Sequence, residues 1–309
     1  MNMPIINNRV IRDELAYLLT MISNEDVRYN DNEHIFVFIC GANKNEKEVS
    51  TRRKAIIDFA KTNLPNTEFL LAEKVFEYLK IEDNKQNLLD IEHTISDFSD
   101  FILIVLESYS AFAELGAFSK TDLLQKLIVI NNSKYAHSNS FINLGPINLI
   151  QSQPSKDRVI LYPMGQSVTE PDPIASTFSP LSKILTSKTF TRSRRLKKEQ
   201  ISDLNKISKI KVMFIHDLIY LTGHINRKEL ISILEFIMGN NDYKIITRYL
   251  GLLCSFEFIT QRKAPTPDKI IYYSNRSAPY FEYKKDITKI ITAFRIYNQK
   301  AKPELIYGT

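Results

Sequence analysis

Two glutamates, Glu107 and Glu114, stand seven residues apart directly after a strongly apolar segment. Residues 101–106 (FILIVL) are typical of a buried strand, and a helix opening near Ser110 would carry Glu114 in its first turn. Ligands of open α/β sheets bind at the carboxyl ends of the strands. Two carboxylates there could stabilise or attack the ribosyl cation that forms as a glycosidic bond breaks. A helix-dipole role for Glu114 and an N-cap role for Glu107 stay open.

Other candidate side chains follow neighbouring strands. Cys40, Gly41 and Ala42 come after the apolar run at residues 35–39, where backbone amides could bind a phosphate. A tight turn is the plainer interpretation, because the segment lacks a GxGxxG pattern. Glu73 follows a second short strand and could bind ribose hydroxyls or cap a helix. Cys40 has no histidine nearby, which favours a buried thiol, and the five histidines show no metal-ligand spacing, so no metal is expected.

The segment at residues 107–118 resembles the E-S-P-G-x-x-x-E-L-G-x-F signature of nucleoside deoxyribosyltransferase-like and TIR-like glycosidases of bacterial defence systems. The glutamate of the E-L-G element corresponds to Glu114, and the first glutamate corresponds to Glu107. Tyr109 and Ser110 stand where the signature often has proline and glycine. The resemblance extends to the strand at residues 36–41 and to the arginine pair within 50–53, and more weakly to residues 72–73 and 90–92.

Over most of its length the chain resembles retron effector proteins of the nucleoside deoxyribosyltransferase-like type. This resemblance implies a toxin of phage defence that hydrolyses an N-glycosidic bond, with NAD as the substrate, cleaved at the nicotinamide ribose, and with no cofactor. Glu114 and Glu107 would be catalytic, with Glu114 stabilising or trapping the ribosyl cation. Arg52 would hold phosphate, and Arg53 is expected to be solvated. The implied substrate-binding residues are Cys40, Gly41, Ala42, Arg52, Glu73, Ser108 and Ser110.

The same resemblance implies partners. They are the retron reverse transcriptase and the multicopy single-stranded DNA with its associated RNA, which would keep the toxin silent until a phage signal, in an oligomeric assembly. Two other functions stay open. One is a nucleoside or nucleotide (deoxy)ribosyltransferase or hydrolase. The other is a non-catalytic regulator whose α/β domain senses a nucleotide while its basic domain binds duplex DNA.

The net charge of +6 is divided unevenly along the chain. Residues 183–309 hold 24 Lys and Arg against 11 Asp and Glu, whereas the preceding residues hold 17 against 24. A basic half can replace the counterions of a phosphate backbone, so the C-terminal half is predicted to bind nucleic acid. A solvated basic surface without a partner is the alternative, although the run at residues 192–198 concentrates the charge.

The order of elements predicts an α/β fold with a Rossmann-like parallel sheet, joined to a winged helix-turn-helix domain. Apolar strands alternate with amphipathic helices up to about residue 162, which is the pattern of βαβ units. We expect an N-terminal helical extension at residues 1–30 and a nucleoside deoxyribosyltransferase-like catalytic domain at 31–170. A proline-rich linker with the basic run is expected at 171–200, followed by a winged-helix domain at 201–309.

The winged-helix prediction rests on three helices followed by two strands. The helices are expected at residues 207–221, at 226–238 with Asn226 as N-cap and Glu229 completing a capping box, and at 242–254. The loop at residues 262–269 would be the wing. The predicted nucleic-acid-binding residues are Arg192, Arg194, Arg195, Lys197, Lys198, Lys244, Arg248, Arg262, Lys263 and Lys269. Helices of this kind can instead mediate dimerisation.

Residues 272–285 interleave tyrosines with basic residues, and these rings could stack on unpaired bases or pack in the core. Cys40 and Cys254 provide no disulfide framework, which favours a reducing cytoplasm. No apolar run reaches the roughly 18 to 20 residues of a membrane span, and the first eight residues lack the features of a signal peptide. A cytoplasmic location without membrane contact is therefore expected.

Overall fold

The computed structural model describes residues 5–30, 34–45, 48–75, 88–154, 156–165, 172–187, 193–239, 243–263 and 270–302. Contacts within the chain divide these residues into two compact units. We call them the α/β unit, formed by described residues between 34 and 73 and between 88 and 187, and the basic unit. The basic unit is formed by residues 5–30, 74–75 and 193–302.

Up to residue 187 the helices and strands alternate. In chain order they are α1 (Arg9–Ser23), β1 (Val27–Tyr29), β2 (Ile35–Cys40), β3 (Asn43–Asn45), β4 (Glu48–Val49), α2 (Thr51–Asn63), β5 (Thr67–Leu70), α3 (Leu88–Phe98), β6 (Phe101–Val105), α4 (Tyr109–Phe118), β7 (Leu127–Asn132), α5 (Asn148–Gln151), β8 (Val159–Tyr162) and α6 (Phe178–Thr186). Short 3-10 turns lie at Ile5–Asn7, Asp122–Lys126, Ser133–Tyr135, Lys156–Arg158 and Ile174–Thr177, and a π-helical turn at Asn143–Ile147.

The centre of the α/β unit is a five-stranded sheet in the order β5-β2-β6-β7-β8, in which each neighbouring pair is parallel. All side chains of β2, β6 and β7 are buried, because helices cover both faces of such a sheet. The predicted parallel α/β sheet is therefore confirmed. The carboxyl ends of β2 and β6 lie side by side, which brings the segment after Cys40 next to the segment after Val105.

Serine side chains set the starts of the two helices that follow these strand ends. Ser50 Oγ accepts from the amide of Arg53 at the start of α2, and Ser108 Oγ accepts from the amide of Ala111 at the start of α4. Since α4 begins at Tyr109, Glu114 lies in its second turn and not in the first turn that the sequence predicted. Ser108, and not the preceding glutamate, is the N-cap.

Part of the segment predicted as a linker is helical and packs in the α/β unit. Leu181 and Leu185 on α6 are fully buried in the same apolar cluster as the sheet residues Val37 and Leu103. Pro180 stands in the first turn of α6, where a missing amide hydrogen costs little. Pro173 and Pro180 therefore lie at the starts of helical segments, and the α/β unit continues to residue 187.

The basic unit contains the remaining elements. They are β9 (Arg194–Arg195), α7 (Glu199–Ser202), α8 (Lys209–Thr222), β10 (Ile225–Asn226), α9 (Arg227–Met238), α10 (Ile246–Ser255), β11 (Ile259–Lys263), β12 (Ile270–Ser274), β13 (Glu282–Tyr283) and α11 (Thr288–Ala301). Strands β10, β12 and β11 form an antiparallel sheet in that order. The predicted capping box of Asn226 and Glu229 is present at α9, and Gly223 and Gly239, both with positive φ, end α8 and α9.

Residues 5–30 belong to the basic unit and do not form a separate extension. Helix α1 packs against α9 and α11, and buries Leu15, Leu18 and Met21. Strand β1 lies between β13 and β9, pairing with both in antiparallel orientation. Part of the basic run is therefore β-structure inside this unit, not linker, because Arg194 and Arg195 pair with Tyr29 and Arg28.

Two helices of the basic unit differ from the prediction. Helix α10 begins at Ile246 and not at residue 242, which leaves Lys244 in the preceding turn. Helix α11 was not predicted at all, although it buries Ile290 and Phe294 against the rest of the unit. Across the described part of the chain, no helix combines the length and apolar character that crossing a bilayer requires.

Candidate functional site

The turn after β2 passes between two charged side chains. A Cβ atom at Gly41 would lie 2.9 Å from Cδ of Arg53 and 3.0 Å from Oε1 of Glu107. Real Cβ atoms essentially never lie less than 3.0 Å from another heavy atom, so the approach to Arg53 favours glycine at this position. This turn separates two carboxylate environments, one around Glu107 and one around Glu114.

Glu107 is fully engaged by the protein. Its Oε1 accepts from the Ala42 amide at 3.1 Å and from Ser50 Oγ at 2.5 Å, and its Oε2 accepts from Arg52 Nη1 at 3.0 Å. Its side chain is only 3% exposed. Glu107 therefore fixes the turn and the start of α2, and the structure leaves it little surface with which to contact a substrate.

Arg52, predicted to hold phosphate, is also engaged. Its Nε donates to Asp172 at 2.7 Å, its Nη2 donates to the carbonyl of Gly165 at 2.7 Å, and its Nη1 donates to Glu107. The guanidinium is thus held between two carboxylates of the α/β unit. A phosphate would have to displace these partners.

Arg53, predicted to be solvated, is instead buried, and that expectation is wrong. Its side chain is 1% exposed, and its Nη1 donates to Glu73 Oε1 at 2.9 Å and to Asn43 Oδ1 at 2.8 Å. Its Nη2 donates to the Ile39 carbonyl at 2.9 Å. Burial alone would raise the pKa of Glu73, but the hydrogen bond and charge of Arg53 outweigh it, so the pKa of Glu73 is lowered.

Glu114 has an incomplete set of partners. Among the described residues its Oε2 is buried without a hydrogen-bond partner. Burial raises the pKa of Glu114, partly offset by a hydrogen bond from the Cys40 thiol and by the charge of Arg53. Burial, together with the negative charge of Glu114, raises the pKa of Cys40 well above its ordinary value. Cys40 is therefore a protonated donor to Glu114, in agreement with a buried thiol.

Glu92 is a further carboxyl group of this cluster that the sequence indicated only weakly. It lies on α3, is 7% exposed, and its pKa is raised to about 7 by burial and by the charges of Glu114 and Glu73. A signal was present in the sequence. Glu92 shares a helix face with Ile95 and Ser96, both buried, so it places an acidic residue on the face that packs inward.

We call Glu73, Glu92, Glu114, Arg53 and Cys40 the carboxylate cluster. It brings three carboxyl groups together with one guanidinium, so an excess of negative charge builds up there as the carboxyl groups ionise. A buried excess of one sign is unfavourable unless protonation or a ligand compensates for it. The cluster is accordingly suited to a group that carries or develops positive charge.

The two predicted serines lie at the start of α4. Ser108 caps the helix, and its Oγ is 2.9 Å from Oγ of Ser110. Tyr109 between them is 96% exposed. The hydroxyl groups therefore stand at a helix N-terminus, where a polar or anionic part of a ligand is favoured.

The predicted nucleic-acid-binding residues that the structure describes all lie in the basic unit. Arg192 and Lys269 lie outside the described residues. Arg248 on α10 is half-buried. The exposed members are Arg194, Arg195, Lys197, Lys198, Lys244, Arg262 and Lys263. Of these, Arg262 and Lys263 end β11, where the predicted wing begins.

The α/β unit and its cluster place the chain in the class of α/β proteins with an acidic site at the ends of parallel strands. The chain belongs to the STM3845 retron effector protein family, which it matches over residues 48–261. The match covers most of the α/β unit and the part of the basic unit from residue 193 into β11, and it leaves out residues 5–30 and the elements after β11.

Two curated relatives from Escherichia coli support this assignment. The chain is 38% identical over 307 residues to the "Retron Ec73 putative ribosyltransferase/DNA-binding protein", covering 96% of this chain and 95% of that protein. It is 28% identical over 152 residues to the "Retron Ec86 putative ribosyltransferase/DNA-binding protein", covering 49% of this chain and 48% of that protein. The similarity to a retron protein thus extends over nearly the whole chain.

Proposed function

We propose that this retron effector breaks an N-glycosidic bond and that Glu114 is its catalytic residue. The observation that carries the proposal is the buried Oε2 of Glu114, which has no hydrogen-bond partner among the described residues, inside a cluster rich in carboxyl groups. A carboxylate of this kind can stabilise or trap a ribosyl cation at C1′. The names of both E. coli relatives include ribosyltransferase, which agrees with chemistry at this carbon.

The reaction would proceed as follows for NAD. The bond between C1′ and the nicotinamide nitrogen breaks, and its electron pair leaves with neutral nicotinamide. Positive charge develops on the ribose and is compensated by Glu114. Water then adds to C1′ to give ADP-ribose, and its proton passes to a carboxylate of the cluster. Glu107, Arg52 and Ser50 are positioning residues, since they hold the turn that follows Cys40 and do not contact the reacting atoms.

The charge of the carboxylate cluster supports NAD over neutral nucleosides. The nicotinamide ring of NAD is cationic in the ground state, so it compensates the excess carboxylate charge before the bond breaks. A neutral nucleoside offers no such compensation until a proton is added to its base. The charge of the carboxylate cluster therefore predicts that the protein cleaves NAD in preference to neutral nucleosides.

The first experiment measures NAD loss and free nicotinamide by chromatography in cells. Wild type, Glu114→Gln and the exposed-site control Glu235→Gln are each expressed with the neighbouring reverse transcriptase and its DNA, before and after phage challenge. After phage challenge we expect NAD loss in wild type and in the control, and none in Glu114→Gln.

The other outcomes distinguish the remaining functions. Stable NAD in dying wild-type cells would overturn NAD as the substrate and point to nucleosides or nucleotides. Stable NAD without toxicity would favour the alternative of a non-catalytic regulator that senses a nucleotide and binds duplex DNA.

We further infer that the basic unit is a winged helix that binds the retron's single-stranded DNA with its RNA, and that the reverse transcriptase is the protein partner. The elements follow one another as α8, β10, α9 and α10, and then the hairpin of β11 and β12. This order and the sheet order β10-β12-β11 support the winged-helix fold. Exposed cations at the end of β11 support nucleic-acid binding. In the retron, this complex would keep the enzyme silent.

Binding is tested by titrating the full chain with the retron DNA–RNA at several salt concentrations. The double substitution Arg262→Ala and Lys263→Ala is expected to weaken binding and to reduce the salt dependence by about one unit of slope per lost phosphate contact. Lys61→Ala, an exposed site on α2, is the control. A sequence-specific footprint on duplex DNA, with no preference for the hybrid, would instead favour the regulator.

A further inference from the structure

The basic unit contains a cavity of about 380 Å³ between α8, β12 and α11. This volume lies within the range of about 300–1,000 Å³ typical of small-molecule sites. None of its lining residues belongs to the carboxylate cluster, and all of them lie between residues 220 and 299. The side chains that the cavity presents indicate what it binds.

Asn298 on α11 contributes an unused hydrogen-bond acceptor. It is 3% exposed, and its Nδ2 donates to the carbonyl of Thr222 at 2.9 Å, which fixes the orientation of the amide. Among the described residues, its Oδ1 is buried and has no hydrogen-bond partner. Buried acceptors are nearly always satisfied, so this oxygen indicates a ligand with an N–H or O–H donor.

Two rings of the cavity wall offer a surface for a flat ligand. The rings of His224 and Tyr273 lie 5.4 Å apart with an interplanar angle of 38°. Burial and the charges of Lys302 and Arg262 lower the pKa of His224, so this imidazole is neutral at pH 7. Neutral aromatic rings stack on nucleobases without regard to sequence.

Two arginines line the same cavity. Arg276 comes from the segment after β12, where its guanidinium lies 4.3 Å from the ring of Phe258, and Arg295 comes from α11, where it is exposed. Guanidinium groups bind phosphate through pairs of parallel hydrogen bonds. An acceptor for an amino group, stacking rings and guanidinium groups therefore occur within one cavity.

We propose that this cavity binds one nucleotide whose base carries an exocyclic amino group. The amino group donates to Oδ1 of Asn298, the base stacks against Tyr273 or His224, and the phosphate is bound by Arg276 and Arg295. The ligand chemistry is shared by a free nucleotide and by a nucleotide within a single strand. This site goes beyond the proposed catalytic function and does not depend on it.

The test is calorimetric titration of the full chain with AMP and with purine riboside 5′-monophosphate, which lacks the amino group. Wild type is expected to bind AMP about tenfold more tightly than the analogue, and Asn298→Ala is expected to abolish that difference. Arg295→Ala is expected to weaken AMP binding about tenfold while leaving adenosine binding unchanged. Lys300→Ala, an exposed site on the same helix, is the control.

Further arms distinguish the sources of the ligand. If an oligodeoxyadenylate competes with AMP and Arg295→Ala weakens both, the occupant is a nucleotide of a single strand. If AMP binds without such competition, the occupant is a free nucleotide. Absence of AMP binding by folded wild type, with single-strand binding unaffected by Arg295→Ala, would overturn the proposal. Glu114→Gln is expected to bind AMP like wild type, so failure of the catalytic function would not be confused with failure here.

Discussion

At the scale of single residues, Glu92 makes the stability of the protein depend on pH. Its pKa in the folded state is raised from 4.5 to about 7, so the folded state binds a proton that the unfolded chain has already released. The contribution of this proton to stability is complete below about pH 4.5 and is lost as the pH rises through 7.

The substitution Glu92→Gln removes this titration. We expect the variant to be more stable than wild type at pH 8 by about 3 kcal/mol and to show a flatter pH profile between pH 4.5 and 8. Urea unfolding at several pH values measures the difference, with Glu235→Gln as an exposed control. Parallel profiles for wild type and Glu92→Gln would contradict the assignment of the shift to Glu92.

Gly41 allows a second test at the residue scale. Gly41→Ala places a Cβ against two side chains that are themselves held by hydrogen bonds, so neither can move aside. We expect a loss of about 1–3 kcal/mol in the free energy of unfolding and a marked fall in NAD cleavage. Thermal unfolding and the NAD assay measure the two effects.

Gly116→Ala is the matched control for stability. A Cβ at this position meets nothing within 4 Å, and alanine is favoured over glycine inside a helix by about 0.5–1 kcal/mol. The control should therefore be slightly stabilising. Equal losses in the two variants would show that the close approach at Gly41 does not matter.

At the scale of elements, Asp217 joins α8 to the segment that leads into β13. Its two oxygens accept from the amides of Tyr280 and Phe281 and from the hydroxyl of Tyr283. Burial and the charge of Asp217 raise the pKa of Tyr283, so this hydroxyl remains a donor. One buried carboxylate thus satisfies three donors from residues 280–283, a segment that ends in β13.

Asp217→Asn would place an amide NH₂ against these donors. We expect a loss of about 3 kcal/mol in unfolding free energy, because a buried donor loses its charged acceptor. Urea unfolding measures this loss, with exposed Asp13→Asn as control. An unchanged midpoint in Asp217→Asn would show that water or another group replaces the carboxylate.

The strands and capped helices of the chain were predictable because their signals are local. Strands β2 and β6 are unbroken apolar runs, and Asn226 is followed by Glu229 at the spacing of a capping box. Helix α6 was hidden by Pro173 and Pro180, since composition does not show that a helix starts there. Helix α11 was not predicted, because its apolar residues are spread among charged ones and pack against α1 and α8, which are distant in sequence.

The candidate site was predictable in residue type but not in arrangement. The sequence showed two adjacent arginines, yet only tertiary structure shows that Arg53 turns inward, because Glu73 lies 20 residues away. The predicted pair of Glu107 and Glu114 is divided between two environments for the same reason. Glu92 joins one of them through packing of α3 against the sheet.

At the scale of the whole molecule, the basic unit depends on the first residues of the chain. Deleting residues 1–30 would remove α1 and so expose the apolar surfaces of α9 and α11 that pack against it. The deletion would also remove β1, the strand between β9 and β13. We expect the truncated chain to lose protease resistance in the basic unit and to lose nucleic-acid binding. Limited proteolysis followed by mass spectrometry measures this, and an unchanged digestion pattern would contradict it.

The position of β1 also orders events during protein synthesis. Val27 pairs with Tyr283, so the three-stranded sheet cannot form until residue 283 has left the ribosome. The α/β unit, which ends at residue 187, can fold while the remainder is still being translated. A nascent effector therefore completes its acidic site well before its basic unit, and a ribosome that stalls in between releases a chain whose basic unit remains unfinished.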